Sequence, residues 1–218
     1  MWGERPRDYY RRLASRFEGA RILDVGCGKK KFPGALGIDV RSNVSADVPH
    51  DLDELPWPLD EDSFDLVLIR HCLEHLGNVV ATVEELWRVT RPQGTIVVEV
   101  PHFSWCEAYT HPGHIHFFSG GSLDYYHPAN EHYKARLRIV RRRIYFNDFF
   151  KWIGFEAIAN RFSHFYERHL AFIFPAGSIV WELEALKEGQ SEASEKSVPR
   201  VGTGTPINAL SKVTQRQT

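Results

Sequence analysis

The sequence predicts an α/β protein built on a doubly wound, mostly parallel sheet. Short apolar runs recur in the first half of the chain, and each is apolar throughout, as in strands that are buried on both faces of a sheet. A helical pattern separates two of these runs, which is the alternation expected of a parallel sheet with crossovers. In the second half polar and apolar residues alternate, which is typical of antiparallel strands with one exposed face.

The first elements follow one another closely along the chain. Residues 5–17 predict a leading helix, with Pro6 tolerated in its first turn. Residues 21–26 predict a strand that ends at a glycine, and residues 35–40 predict the next strand. Because only residues 29–35 lead from the glycine loop into this strand, a covering helix of ordinary length does not fit. The first crossover is therefore predicted to be shortened.

The middle of the chain completes the parallel part of the predicted sheet. A third strand is predicted at residues 64–69 and a fourth at residues 95–100. Between them, residues 78–90 place apolar side chains at helical spacing and predict a helix. The helix is expected to stop before a turn at residues 91–94, where proline and glycine interrupt the pattern.

The next segments predict an antiparallel hairpin that closes the sheet. Residues 136–146 and 179–186 alternate in polarity, as strands with one exposed face do. Between them, helices are predicted at residues 147–154 and 163–174. These elements would add antiparallel strands to one edge of an otherwise parallel sheet.

Composition limits the domain organisation. Residues 188–218 contain no aromatic residue and cannot bury enough surface to offset their ordering entropy, so they are predicted to form a disordered tail. The sequence thus predicts a single domain at residues 1–187 before this tail. The formal net charge is −1, which gives no overall field that would attract nucleic acid or an anionic membrane.

The cysteines and the apolar runs indicate the surroundings of the protein. Cys27, Cys72 and Cys106 are widely spaced and odd in number, so neither a disulfide framework nor a cysteine-rich zinc site is indicated. The sequence opens without the apolar core of a signal peptide, and no run of about 18 apolar residues could span a membrane. A cytoplasmic protein without a membrane partner is predicted, and its oligomeric state is left open.

Two features suit a ligand that contains a ribose. Leu23–Gly28 reads LDVGCG, and a strand that ends in Gly-x-Gly lets the backbone approach a ligand at the carboxyl edge of the sheet. Asp39 ends the next strand, where a carboxylate can accept hydrogen bonds from both hydroxyls of a ribose. Each feature alone also has an ordinary interpretation, as a turn or as a solvated carboxylate.

Two further motifs extend this pattern along the chain. The third motif is HDLDELPW at His50–Trp57 together with SFDLV at residues 63–67. The fourth motif is HCLEHL at residues 71–76, directly after the strand that contains SFDLV. Together the four motifs resemble the class I S-adenosylmethionine-dependent methyltransferases, in particular the type 11 group, over about residues 20–102. The resemblance implies a Rossmann-like fold and S-adenosylmethionine as cofactor. It also implies SN2 transfer of the cofactor's methyl group to an O, N or C nucleophile, which we expect to belong to a small molecule.

Carried over by position, the resemblance implies a cofactor site at the carboxyl edge of the sheet. One set of residues would cradle the methionine part of the cofactor: Asp24, Gly26, Cys27 and Gly28. A second set would bind its other groups: Asp39 the ribose, Asp51 the adenine amino group, the Leu52 backbone N–H the adenine ring, and the Arg70 carbonyl the amino group of the methionine part.

Candidates for proton transfer are sought among the histidines, because imidazole titrates near neutral pH. A base is required only where the acceptor must lose a proton, and the candidates are His71, His114 and His102. The segment His111–Phe118 is rich in His, Gly and Phe. It is predicted to cover the carboxyl edge of the sheet beside the methyl group and to exclude water there.

Other functions remain open from the sequence. A module that binds S-adenosylmethionine without catalysis would carry the same motifs. His71, Glu74 and His75 would share one helical face, as in a metal-dependent hydrolase, but no metal is assigned because this interpretation leaves the other motifs unexplained. An NAD enzyme is disfavoured because Lys31 stands where its third glycine is expected. The arginine-rich residues 136–143 suit RNA only weakly, since an exposed strand face explains them more simply.

Overall fold

A seven-stranded sheet organises the part of the chain that the computed structural model describes, namely residues 5–41, 43–44 and 46–187. The predicted tail at residues 188–218 lies outside the described residues. The strands are β1 Ile22–Val25, β2 Leu36–Asp39, β3 Val48–Pro49, β4 Phe64–Arg70, β5 Thr90–Pro101, β6 Leu137–Tyr145 and β7 Ser178–Ala185.

The order of the strands confirms the predicted fold class. The sheet runs β3-β2-β1-β4-β5-β7-β6, and neighbouring strands from β3 to β5 are parallel. Strand β7 is antiparallel to both of its neighbours, β5 and β6. The predicted antiparallel pair therefore closes the sheet, with β7 inserted between β5 and the edge strand. As a result, the carboxyl ends of five strands meet at one edge.

Helices surround the sheet and connect its strands. They are α1 Pro6–Arg16, α2 Val79–Val89, α3 Glu107–Thr110, α4 Asp148–Trp152, α5 Phe155–Arg161 and α6 Ser163–His169, with 3-10 helices at Leu73–His75 and Gly120–Tyr126. Helix α2 begins where Asn78 accepts a hydrogen bond from the Ala81 N–H, a side-chain cap that satisfies a free amide of the first turn. None of the helices in the described part of the chain has both the length and the apolar character needed to cross a membrane.

The two faces of the sheet bury separate sets of apolar side chains. In β4, Val67 and Ile69 belong to the larger cluster, whereas Leu66 and Leu68 belong to the smaller one, as the alternation of a strand requires. Helix α1 contributes its buried residues Tyr9 and Leu13 to the smaller cluster. This helix therefore covers the face of the sheet next to β1 and β4.

The first crossover is short, as predicted. Residues 26–35, all of which the structure describes, contain no helix between β1 and β2. The segment instead buries Phe32, whose backbone N–H donates to the Asp24 carboxylate over 2.6 Å. A loop that is tied back to the strand before it therefore replaces the usual covering helix.

Several predicted boundaries differ from the structure. Residues 91–94 lie within β5 rather than in a separate turn, but the pairing with β4 shifts between Thr90 and Thr95, and Gln93 has a φ of 60°. The chain bulges out of the ladder there, so the proline and glycine mark an irregular stretch of strand. The helix predicted at residues 163–174 ends at His169, and neither β3 nor α5 was predicted.

Candidate active site

The glycine loop after β1 passes directly against the segment that follows β4. Gly26 has a φ of 64°, and its N–H donates to the Ile38 carbonyl over 2.8 Å. A Cβ at this position would lie 2.4 Å from the Cys72 Sγ. Both the backbone conformation and the lack of space therefore require glycine here. Cys72 joins the glycine loop to the motif at residues 71–76.

Asp39 fixes the other end of this loop. Its carboxylate accepts a hydrogen bond from the Gly28 N–H over 2.9 Å, and three more from Arg41, through the backbone N–H, Nε and Nη2, at 2.9–3.0 Å. Burial alone would raise the pKa of Asp39, but these hydrogen bonds prevail and lower it to about 2. The residue predicted to hold the ribose is therefore a carboxylate at every physiological pH.

Asp24 lies under the loop, and only one of its two carboxylate oxygens accepts hydrogen bonds. Its Oδ2 accepts from the Phe32 N–H and from Arg70 Nη2, the latter over 2.7 Å. Within the described structure, its buried Oδ1 has no hydrogen-bond partner, and burial raises the pKa of this carboxyl despite the nearby Arg70. A free acceptor beside a glycine cradle fits the ammonium group of an amino acid such as the methionine part of the cofactor.

The residues predicted to meet the adenine ring lie after β3, next to this loop. Leu52 is buried, and its Cδ1 is 3.9 Å from the position of a Cβ on Gly26. Its carbonyl accepts from Trp57 Nε1, which holds the segment in place. Asp51 is exposed and accepts from the Asp53 N–H over 3.1 Å. The structure thus brings all eight predicted cofactor-binding residues to the carboxyl ends of β1, β2, β3 and β4, and their contacts with the cofactor stay predictions.

His71 follows β4 between two carboxylates. Its Nδ1 is 3.7 Å from Glu74 Oε1 and its Nε2 is 3.6 Å from Glu99 Oε1. Burial would lower the pKa of His71, but the two carboxylates outweigh it and raise this pKa to about 10. A histidine that is protonated at neutral pH donates hydrogen bonds and does not accept a proton from an acceptor. This argues against His71 as a general base.

His102 lies inside the fold, with 0% of its surface exposed. The Ser104 N–H donates to its Nδ1, so the ring proton is on Nε2, which donates to Glu167 over 3.0 Å. Glu167 also accepts from the Gly120 N–H and so ties the segment after β5 to α6. Since both ring nitrogens are engaged and no solvent reaches them, we interpret His102 as a structural residue.

The segment His111–Phe118 runs along the carboxyl ends of β4 and β5, the edge at which the sequence predicts it. The backbone N–H groups of Ile115 and His116 donate to the Glu74 carbonyl over 3.0 and 3.2 Å. Near its end, the Phe118 carbonyl accepts from the Phe103 N–H, just beyond β5. These bonds attach the segment to the motif after β4 and to the chain just beyond β5.

Three histidines gather where this segment meets the 3-10 helix Leu73–His75. The rings of His75, His111 and His114 have centroids 4.6–5.0 Å apart. The sequence suggested a different set, in which His71 and His75 share one helical face. That interpretation is wrong because only one 3-10 turn forms, and His71, with a φ of 48°, precedes it. The ring of His75 instead contacts His111 and His114, which are far from it in the sequence. No pattern within one segment could predict that contact.

A cleft of 440 Å³ lies at the opposite edge of the sheet. Its lining includes Arg21 before β1 and Ser63 before β4, and it includes none of the predicted site residues. Open α/β sheets bind their ligands at the carboxyl ends of the strands, where the glycine loop and the carboxylates lie. The candidate active site is therefore the carboxyl edge.

Fold and site together define the class of protein. A mostly parallel sheet in this strand order, with a glycine loop after β1 and a carboxylate at the end of β2, is the arrangement of the class I S-adenosylmethionine-dependent methyltransferases. A family model described as a methyltransferase domain matches residues 2–185. The chain therefore belongs to this methyltransferase family, and the predicted class and its cofactor, S-adenosylmethionine, are confirmed.

Relatives and solved structures agree with this assignment. A probable S-adenosylmethionine-dependent methyltransferase from Mycolicibacterium smegmatis is 32% identical over 120 residues, which are 46% of this chain and 46% of that protein. An ajmaline N-methyltransferase from Rauvolfia serpentina is 33% identical over 103 residues, or 35% and 34% of the two chains. The chain thus matches less than half the length of these two relatives.

Among solved structures, S-adenosylmethionine-dependent methyltransferases from Mesorhizobium loti and Archaeoglobus fulgidus both superpose with a TM-score of 0.55. They cover 81% of this chain and 95% and 91% of their own lengths, at identities of 16% and 18%. At these identities the likeness shows the fold alone.

The raised pKa of His71 predicts a specific pH dependence of stability. Below its ordinary pKa of 6.5 the imidazole is protonated in both the folded and the unfolded chain, so its stabilising contribution is fully present. That contribution is lost as the pH rises towards about 10, the pKa in the folded protein. The side chain is 53% exposed, so we expect about 1 kcal/mol or less.

Urea unfolding of the wild type and of His71→Asn between pH 6 and pH 10 measures this effect. Asparagine tolerates the positive φ at this position. The difference in unfolding free energy between the two proteins should shrink as the pH rises. A difference that stayed constant or grew with pH would show that His71 is not held protonated.

Proposed function

We propose that this protein transfers the methyl group of S-adenosylmethionine to an O, N or C nucleophile of a small molecule bound beside His114. The donor would lie in the cradle of Gly26, Gly28 and Asp39, with its ammonium group at Asp24. The acceptor would lie between that cradle and the segment His111–Phe118. Cys72, which contacts the cradle and precedes Glu74 by two residues, connects the two halves of the site.

The observation that carries this proposal is the environment of Glu74. Its side chain is 1% exposed, and neither carboxylate oxygen has a hydrogen-bond partner among the described residues. Its nearest cation is His71, 3.7 Å from Oε1, so the carboxylate has an ion-pair partner but no hydrogen bond to offset the cost of its burial. His114 Nε2 lies 3.9 Å from Glu74 Oε1. Costly arrangements of this kind are typical of sites where a proton or a ligand is handled.

His114 is suited to receive the proton of an acceptor hydroxyl or amine. Its Nδ1–H donates to the Ala108 carbonyl over 3.1 Å, so the neutral ring has its lone pair on Nε2. As the acceptor attacks the methyl carbon, the carbon–sulfur bond breaks and sulfur keeps the electron pair. The acceptor's proton passes to Nε2, and the nearby Glu74 stabilises the imidazolium. A carbon nucleophile that is already an anion would not need this step.

The arginines of β6 support a small molecule over RNA as the acceptor. Arg138 donates to Glu184, Arg142 to Asp124, and Arg143 to Glu156. These guanidinium groups are engaged in holding β6 to its neighbours, and ion pairs within the protein weaken the field that would attract phosphates. The basic stretch is thus explained by the fold.

We infer that the protein is cytoplasmic, and its cysteines support this proposal. Cys27, Cys72 and Cys106 are all free thiols. Burial raises the pKa of Cys27, and it raises that of Cys72 to about 12, so these two remain unreactive thiols. Free thiols are typical of a reducing compartment.

Metabolite extracts incubated with methyl-labelled S-adenosylmethionine and the full chain test the proposal. We expect label in one or a few small molecules, and none in a parallel reaction with heat-denatured protein. Tight binding of the cofactor without transfer to any acceptor would instead indicate a module that binds S-adenosylmethionine without catalysis. Label found only in RNA would contradict the proposed acceptor class.

A further inference from the structure

The histidine cluster has the geometry of a metal site. His75, His111 and His114 each offer one ring nitrogen, and these three atoms lie within 4.8 Å of one another. In a tetrahedral zinc site with bonds of about 2.0–2.1 Å, two ligand atoms are roughly 3.3–3.4 Å apart, so the histidines would move inward by up to about 1.5 Å. One residue comes from the 3-10 helix after β4 and two from the segment after β5.

Backbone carbonyls hold two of the imidazoles in the tautomer that a metal requires. His75 Nδ1–H donates to the Gly113 carbonyl over 2.9 Å, and His114 Nδ1–H donates to the Ala108 carbonyl over 3.1 Å. In each neutral ring the lone pair is therefore on Nε2. Histidines that bind metals commonly donate their other ring N–H in this way, which fixes both tautomer and orientation.

His111 is the adaptable member of the cluster. It is exposed, and its Nδ1 accepts a hydrogen bond from the Gly113 N–H over 3.1 Å. An ion could take this lone pair because the released amide lies on an exposed stretch and can bond to water instead. Gly113 thus forms hydrogen bonds with two histidines: its carbonyl accepts from His75, and its N–H donates to His111.

Glu74 gives an independent reason for a cation at this place. Its carboxylate is buried without a hydrogen-bond partner in the described structure, and its Oε1 lies 3.9 Å from His114 Nε2. A buried carboxylate is stabilised by positive charge close to it. His71, the cation on its other side, is half-exposed and 3.7 Å away. Because solvent weakens the interaction of this half-exposed histidine with Glu74, a divalent ion would add to the neutralisation of the buried carboxylate.

We propose that His75, His111 and His114 bind one divalent transition-metal ion of the zinc type, with Glu74 beside it. Neutral imidazoles with a nearby carboxylate suit zinc, cobalt or iron(II) and do not suit magnesium or calcium, which prefer oxygen ligands. Three protein ligands leave a fourth position open.

The consequence for catalysis rests on the proposed function. With the ion bound, the lone pair of His114 is a ligand, and the ion replaces the imidazole in activating the acceptor. An acceptor hydroxyl in the open position would release its proton to water, and its oxygen would attack the methyl carbon while sulfur keeps the electron pair. Bound metal lowers the pKa of a coordinated hydroxyl, so this favours an acceptor with an oxygen nucleophile.

Metal binding is tested first, without any methyl acceptor. The full chain, free of any purification tag and stripped with a chelator, is titrated with cobalt(II) and followed by its visible absorption, then with zinc by calorimetry. We expect one ion per chain and the intense bands of tetrahedral cobalt. His111→Ala should weaken binding at least about 100-fold, because loss of an outer partner alone costs about 10–100-fold. His132→Ala, which removes an exposed histidine outside the cluster, should bind as the wild type does.

The outcomes separate the metal site from the proposed function. Failure of the wild type to bind either ion, or equal binding by His111→Ala, would overturn the site. Because His111 is exposed, this variant is expected to fold, and its circular dichroism checks that. Stoichiometric binding without methyl transfer to any acceptor would support the site and contradict the proposed function. Full methyl transfer by the chelator-treated wild type would overturn the catalytic part and leave the proposed function standing.

Discussion

Replacing His114 with alanine is expected to lower turnover by about 10²–10⁴-fold, the usual contribution of a residue that takes part in proton transfer. Affinity for S-adenosylmethionine should change little, because the described contacts of His114 are to Ala108, Glu74, His75 and His111, away from the glycine loop. The expected signature is thus a large fall in kcat with a nearly constant Kd for the cofactor. Single-turnover kinetics and calorimetry measure the two quantities.

The control for this variant is His132→Ala, which removes an exposed imidazole elsewhere in the chain. Thermal unfolding of both variants checks that the fold persists. His114→Ala with full turnover on the identified acceptor would remove His114 from the mechanism. An equal loss in both variants would point to a general effect on the fold.

Replacing Asp39 with alanine is expected to weaken cofactor binding by about 1.5–3 kcal/mol, which is roughly 10–150-fold in Kd. The carboxylate would otherwise accept hydrogen bonds from the ribose, and it also holds the Gly28 N–H that shapes the loop. Arg41 donates to the same two oxygens, so the ribose would have to compete with or displace that side chain.

Because Asp39 is buried, the alanine variant also loses stability, and Asp39→Asn is the better matched comparison. Asparagine keeps the shape and one acceptor oxygen, so it should fold normally and show a smaller but measurable loss of affinity. Asp60→Ala, an exposed carboxylate on the opposite edge, serves as the control. If calorimetry gave wild-type affinity for both Asp39 variants, the carboxylate would only hold the glycine loop in shape and would not bind the ribose.

The part of the site that the sequence could predict is the part coded in consecutive residues. Gly26 and Asp39 each follow a recognisable apolar strand, and the carboxyl ends of parallel strands must meet at one edge, so their proximity follows from the strand order. The shortened crossover was also predictable, because the number of residues between two strands limits what can fit there.

The rest depended on contacts that no local pattern encodes. Strand β3 has only two residues, too few to show a period. No local pattern indicates that Glu74 is buried, because its burial depends on the segment after β5 folding over it. His75 and His111 are 36 positions apart and meet only because that segment bonds to the Glu74 carbonyl. Periodicity indicates which side of an element is buried, and it cannot indicate which loops touch.

The way in which helix α1 covers the sheet has a consequence for synthesis. Tyr9 donates to Glu182, 173 positions further along, and Arg16 pairs with the same carboxylate over 2.7 Å. At about 5–20 residues per second, α1 leaves the ribosome roughly 10–35 s before the strand that anchors it. Meanwhile the apolar side of α1 and the face of the sheet that it covers both remain uncovered. Newly made chains should therefore be most prone to aggregate before β7 inserts between its two neighbours.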